Sequence, residues 1–350
     1  MYKRQTLTLD DSVVRGTAPR RDGLGGFGVA SADGASLVAT RVRLEGNHTT
    51  SALAQGASLT FRDGWILDTR RASWGGDGVF VSLGGEATIE RSVIHGAVES
   101  GAIAKGAGST LRLTAVAVRD VTARATDGGG GWGLTAHHGG RVFAEGVLVA
   151  GAARTGVLAY AEDAQVDVTD VIVTGVTGTV EGFGGGVAAF DGGHLRGARV
   201  AVLGARGSAV SAAAFDREGR EVPGATLRVD DLFVRDVRAS TVDASLSRAP
   251  VAAYGVFVGR DCALDVARAT LTDSDWGFFH SAGSLALRRA LIARQRRGAG
   301  AANLVDARHP LRLDEVALRG NASDDVQRDV DLPALRLAPP PEPALPRFRP

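Results

Sequence analysis

One ten-residue block recurs twelve times, and a chain built that way must stack like on like, as a solenoid does. The block reads apolar, any, apolar, any, any, small or apolar, any, apolar, any, and then Gly or Asp. Its copies begin at Leu7, Leu37, Leu59, Ala87, Leu111, Val142, Val166, Leu195, Leu227, Leu264, Leu285 and Leu311. Position eight is the most constrained: Val14, Leu44, Ile66, Ile94, Val118, Val149, Val173, Val202, Val234, Leu271, Ile292 and Leu318 are all β-branched or Leu. Position ten is Gly or Asp in every copy except the one ending at Arg294, which marks it as a turn.

Inside the block apolar and polar residues alternate, the period of a strand with one buried face. Leu227-Arg228-Val229 followed by Leu232-Phe233-Val234 shows it well. Most blocks are preceded by a third short strand of the form Gly, apolar, any, apolar, as in Gly78-Val79-Phe80-Val81, Gly186-Val187-Ala188-Ala189 and Gly255-Val256-Phe257-Val258. Copies lie 21 to 37 residues apart, so each coil has three short strands, two short turns and one variable loop. The expected fold is all-β: a single-stranded right-handed parallel β-helix of about twelve coils over residues 6–322. Residues 1–5 stand outside the repeat and read as an artefactual or truncated start. Residues 323–350 are Pro-rich, cannot feed a sheet ladder, and read as a tail.

A chain of 350 residues exceeds the size at which one globular core stops growing. A solenoid escapes that limit, because length adds coils without thickening the core. Forty-eight glycines and only 5% aromatic residues suit many tight turns around a narrow interior. A net charge of +1 leaves no field to attract nucleic acid. The single Cys262 closes no intrachain disulfide. No stretch of 18 apolar residues exists to span a bilayer, and the start carries no apolar run of a signal peptide.

The repeat resembles the right-handed parallel β-helix of the pectin lyase-like superfamily over residues 6–322. A left-handed β-helix would need a regular six-residue period. Leucine-rich repeats would need an asparagine ladder, and Asn occurs only at 47, 303 and 321. The resemblance implies a cleft along the outer face of one strand column, walled by the longer loops. There, lyases hold calcium with Asp or Glu and use Arg or Lys as base, and hydrolases pair two Asp. The outward position of the Gly-leading strand is expected to hold Phe80, Thr135, Ala159, Ala188, Phe257 and Phe278. None is a carboxylate, so neither catalytic pattern transfers onto these residues.

Two other constellations carry chemistry. His138, Glu162 and Asp191 each lie four residues before a block in successive coils, where stacked side chains would make an acid/base or metal site, or simply a polar turn. Phe27, Trp132, Tyr254 and Trp276 each precede a Gly at the mouth of the third strand, with Trp74 in a nearby loop. Rings in line suit sugar stacking, or packing beneath loops. His137 and His138 are neighbours expected to point to opposite faces, a poor metal pair. The Gly23 to Gly28 glycines fit GxGxxG spacing without the flanking strand and helix a nucleotide site needs. Asp10-Asp11, Asp230-Asp231 and Asp324-Asp325 read as solvated, and the run from Arg294 to Arg297 as exposed charge able to meet an acidic polymer. Asn47-His48-Thr49 and Asn321-Ala322-Ser323 match the glycosylation acceptor pattern.

The expectation is therefore a non-catalytic scaffold, exported or at the cell surface by analogy of fold, binding polysaccharide along a loop-lined groove through Trp74, Trp132, Tyr254 and Trp276. It needs no cofactor. The alternatives are a polysaccharide lyase or glycoside hydrolase using residues on the loops 70–77, 124–127 and 243–248, with calcium under the lyase reading, or a segment of a larger adhesin. The oligomeric state is not legible.

Overall fold

The computed structural model describes residues 5–23, 25–178, 185–214, 222–239, 253–302 and 308–323. Most of the start at 1–5, the loop 243–248, Asp324-Asp325 and nearly all of the tail at 323–350 lie outside the described residues. Every strand-to-strand pairing is parallel, and no helix occurs among the described residues. A sheet of seventeen strands carries the blocks, and a second of eleven carries the third strands. Coil n is taken here as block n with the third strand that follows it. Block stacks on block without slippage: Leu7 pairs with Leu37, Leu37 with Leu59, Leu59 with Ala87, and so on to Leu285 with Leu311. The chain is a parallel β-helix, and the rule for parallel crossovers makes it right-handed.

The twelve blocks stack in order. Block positions one, three, six and eight and two positions of each third strand face inward and form one continuous apolar column. At position eight, ten side chains are completely buried, and the two partly buried ones, Val14 and Leu318, belong to the terminal coils. The glycine that leads the third strand has a packing reason. A Cβ at Gly101, Gly133, Gly156, Gly186 or Gly277 would fall well inside van der Waals contact of the position-eight side chain of the next coil. The β-branched column and the glycine column are thus one interlocking device.

Position ten is a turn in all twelve copies, with φ between +52° and +72°, Arg294 included. Position five, read from sequence as unconstrained, is equally left-handed: all twelve residues from Asp11 to Glu315 have φ between +44° and +62°. There the chain bends between the two block strands. A left-handed residue costs about 1–2 kcal/mol, and the side chains at this corner pair between coils. Arg41 forks onto Asp11, Arg91 onto Asp63, Arg199 onto Asp170 and Arg268 onto Asp231, while Arg289 meets Glu315. Asp11 and Asp231, read as solvated, are therefore ion-paired.

The residue after position ten faces inward and is polar near both ends. Asn47 is buried; its amide donates to the Val14 carbonyl at 3.2 Å and its oxygen accepts from Thr17 N at 3.2 Å and Thr17 Oγ1 at 2.9 Å. Gln295 and Asn321 repeat the pattern, Asn321 donating to Ile292 O at 3.0 Å and accepting from Gln295 N at 3.0 Å. Both asparagines of the glycosylation triplets are engaged in holding backbone, and Asn47 is inaccessible.

Candidate functional site

The outer face of the third-strand sheet is where rings and titratable groups meet. Register gives it three outward columns. The middle one, closest to the expected catalytic position, runs Leu53, Phe80, Ile103, Thr135, Leu158, Ala188, Ser211, Phe257, Phe279. Two of the six expected residues are misplaced: Ala159 and Phe278 point into the core, and Leu158 and Phe279 take their places. The column remains free of carboxylates, as expected.

The aromatic residues do share one register position, the column just before the glycine. Trp132, Tyr254 and Trp276 stand in it with Thr50, Asp77, Ser100 and Thr155. They group rather than form an unbroken strip. In coils 1 to 3, Phe27 meets Trp74 edge-on at 6.3 Å between ring centroids, and Trp74 is 39% exposed. In coils 5 and 6, Trp132, His137 and Tyr160 follow at 6.5 Å and 4.8 Å. In coils 9 and 10, Tyr254, Phe257 and Phe279 cluster within 5.8 Å, with Phe257 and Phe279 nearly coplanar. Tyr254 is only 5% exposed, and burial pushes its phenol up to about 12. It is a packing residue, not a stacking platform, which corrects its expected role. The Trp276 ring lies over Gly298.

The third outward column, two residues beyond the middle one, was overlooked in the sequence. There Lys105, His137 and Tyr160 stack in consecutive coils at the end of their strands. Burial, helped by the charges of His138 and Lys105, drives His137 down to about 3, so its imidazole is neutral across the physiological range. His138 sits at φ +48°, beyond the strand, and that turn swings its ring back onto His137, the centroids 4.2 Å apart and the two Nδ1 atoms in contact. The expectation that the two histidines face apart fails because His138 is not extended.

Loops 69–77 and 121–131 lead into the opposite ends of the third strands, at Asp77 and Trp132. Arg124 donates to Glu99 at 2.8 Å and grips both oxygens of Asp127 at 2.9 and 3.0 Å. That grip and the Gly129 amide hold Asp127 down at about 2. Asp77 behaves oppositely: burial, then the Glu99 charge, lifts it to about 8. Asp77 and Arg124 bound two of the loops singled out in the sequence for a cleaving enzyme.

The set His138, Glu162 and Asp191 does not assemble. The His138 amide donates to Tyr160 O and the Ala161 amide to Phe190 O, so Ala161, not Glu162, lies between His138 and Asp191. The turn after Tyr160 is one residue longer than its neighbours, which shifts a count made back from the block. Among the described residues no three His, Cys, Asp or Glu side chains converge as metal ligands. The 294–297 run is largely consumed internally: Arg294 forks onto Asp273, Gln295 is buried, and Arg296 binds Asp275 at 2.9 Å and the Val237 carbonyl at 2.6 Å. Cys262 is buried, and its thiol is pushed up to about 11. A second surface, on the first block strands of coils 5 to 9, forms a groove of about 830 Å³ lined by Arg112, Phe143, Glu145, Asp167, Arg196 and Arg228. Arg112 stacks on Phe143 at 4.4 Å there. No helix among the described residues is long and apolar enough to cross a membrane.

No protein-family model and no characterised protein sequence matches the chain. Among solved structures, a mannuronic acid specific polysaccharide family 6 lyase from human gut microbiota is similar, with a TM-score of 0.43 and 10% identity. The match covers 86% of this chain and 77% of that one.

Proposed function

We propose that the chain is a polysaccharide-binding β-helix that acts outside the cell and takes its ligand along the outer face of the third-strand sheet. The observation that carries this reading is the run of rings Trp132, His137 and Tyr160: the His137 ring lies 6.5 Å from Trp132 on its own strand and 4.8 Å from Tyr160 of the next coil. Rings that follow one another along the strand and across the coils offer flat apolar surface to sugar units. The exposed Lys105 supplies hydrogen bonds beside them. Glycan-array binding by the purified chain tests it. Trp132→Ala and Tyr160→Ala each lower binding at least tenfold, while Tyr254→Phe leaves it intact. Equal binding by wild type and Trp132→Ala overturns the reading.

A second reading rests on the column Lys105, His137, Tyr160. An amine, a neutral imidazole and a phenol one coil apart are the groups a polysaccharide-cleaving enzyme uses to remove and donate protons. A panel of acidic polysaccharides, with and without calcium, scored for reducing ends and unsaturated products, decides between binding and cleavage. Product formation lost in His137→Ala and in Tyr160→Phe favours the enzyme.

A further inference from the structure

The outward face of the first block strands carries a charge pattern that is complementary to itself. Its middle column, position two of the block, runs Arg112, Phe143, Asp167, Arg196, Arg228, Asp265 over coils 5 to 10, each in register with the next. A second copy given a half-turn about an axis along the strands, midway between coils 7 and 8, meets this column favourably at every position. Asp167 faces the partner's Arg196, Phe143 faces the partner's Arg228, Arg112 faces the partner's Asp265, and symmetry repeats each meeting. In the position-four column of the outer coils, Glu90 faces the partner's Arg288 and Arg62 the partner's Asp314. One like-charged meeting occurs, Glu145 with the partner's Asp230, and the partner's Arg228 stands beside it, 3.7 Å from Asp230 in its own chain.

The central charges are left over within one chain. At the adjoining corner the same coils join Arg199 to Asp170 and Arg268 to Asp231 through two bonds each, 2.5 to 2.9 Å long. On the face, Asp167 and Arg196 stand on neighbouring strands, yet neither makes a hydrogen bond or ion pair among the described residues. Arg196 is also in register with Arg228, and like charges directly across two strands destabilise a sheet. A carboxylate brought by a second copy relieves that repulsion. The groove of about 830 Å³ lies here, and where the two-fold axis would pass it is lined by the small residues Thr169, Gly197 and Ala198. Small side chains there let a second sheet approach to the ~10 Å of packed sheets.

We propose that two copies of the chain pack face to face through their first block strands as an antiparallel two-fold dimer, with a pair of Asp167–Arg196 ion pairs at its centre. A two-fold interface brings one patch against itself, so it requires the self-complementarity that this column has. Coils 3 to 12, at ~4.8 Å per coil and ~3.3 Å per residue of strand, offer roughly 800 Å² on each copy, the size of a stable interface. The third-strand sheet takes no part, so the dimer leaves the ring-bearing face open and does not rest on the polysaccharide reading.

Sedimentation equilibrium of the purified chain tests it. The wild type shows a concentration-dependent monomer–dimer mass, and added salt weakens the association. Arg196→Asp sets like charges against each other at two places, because symmetry counts the substitution twice, and weakens dimerisation at least a hundredfold. Asp167→Arg does the same. The exchanged chain, carrying Asp167→Arg and Arg196→Asp together, restores both ion pairs with their signs reversed and dimerises within about tenfold of wild type. Should a chain carrying Asp167→Arg not fold, Arg196→Asp and Arg228→Glu decide, the second weakening the dimer at least tenfold. A wild-type chain that stays monomeric overturns the proposal, as does a dimer indifferent to Arg196→Asp and Arg228→Glu, or a folded exchanged chain that remains monomeric. A monomer that takes up heparin through Arg196 and Arg228 also overturns it, the face then being a site for polyanions.

Discussion

At Gly133 a methyl group would collide with Val149 of the next coil and with the carbonyl of Gly156, and the carbonyl is main chain and cannot rotate away as a side chain can. Gly133→Ala therefore lowers stability by roughly 1–3 kcal/mol, the usual cost of overpacking, read as a fall in the urea midpoint. Leu83 shows the reverse case. It is 71% exposed and held at φ +53° in the turn after its strand, so its side chain contributes little burial to offset the left-handed strain. Leu83→Gly raises stability by roughly 0.5–1 kcal/mol, the relieved strain less the larger entropy of glycine in the unfolded chain. Asp77 makes a prediction in pH. Its carboxyl is lifted to about 8 in the fold and lies near 3.9 unfolded, so between those values the native chain holds a proton that the unfolded chain has released. Stability thus falls as pH rises from about 4 to about 8, then flattens above that window, and Asp77→Asn removes the slope. A Tm profile of the two proteins across that window checks it.

At the scale of the coil, the left-handed corner at position five shows where sequence reading stopped. Positions one, three, six, eight and ten were legible because burial or turn geometry restricts their residue types in nearly every copy. Position five was not, because its occupants are Asp, Arg, Ala, Gly and Glu; the conformation is imposed by the bend between two stacked strands, and no single residue type signals it. What the sequence does carry there is an alternation between coils, Asp11 then Arg41, Asp63 then Arg91, Asp170 then Arg199, visible once the blocks are aligned. The site was lost in a similar way. Turns differing by one residue shifted Glu162 out of line and misassigned Ala159 and Phe278, and the Lys105, His137, Tyr160 column lay two residues past the position inspected. The corner pair Arg268 and Asp231 gives the prediction for this scale. Its two bonds of 2.5 and 2.9 Å lie between partly exposed side chains, so screening limits the coupling to about 0.5–1 kcal/mol in a double-mutant cycle, shrinking further in 1 M salt. The guanidinium fork holds Asp231 below its ordinary range, and its contribution is present above the unfolded value near 3.9 and lost as pH falls through the lowered one. Arg268→Gln removes that acid-side loss.

For the molecule as a whole, stability is distributed along an axis. Twelve coils at ~4.8 Å make a stack roughly 55 Å long in which each coil packs mainly on its two neighbours, with a few side chains such as Arg296 reaching one coil further. An interior coil is held on both faces, whereas among the described residues the strand Thr6–Asp10 pairs with Ser36–Thr40 alone. Its side chains report the difference. Leu7 is 52% exposed and Val13 61%, while their counterparts Leu111 and Ala117 in coil 5 are fully buried. In a nearest-neighbour chain the free energy needed to open a coil grows with the number of interfaces that must break, so opening starts at the first coil and costs most in the middle. Hydrogen exchange is expected to follow that order: amides of Thr6–Asp10 exchange fastest among the block strands, protection climbs through coils 2 to 4, and it reaches a plateau over Arg141–Ala150 and Gln165–Thr174. Uniform protection across all coils would mean that the helix opens as one cooperative unit and would remove the nearest-neighbour account of its stability.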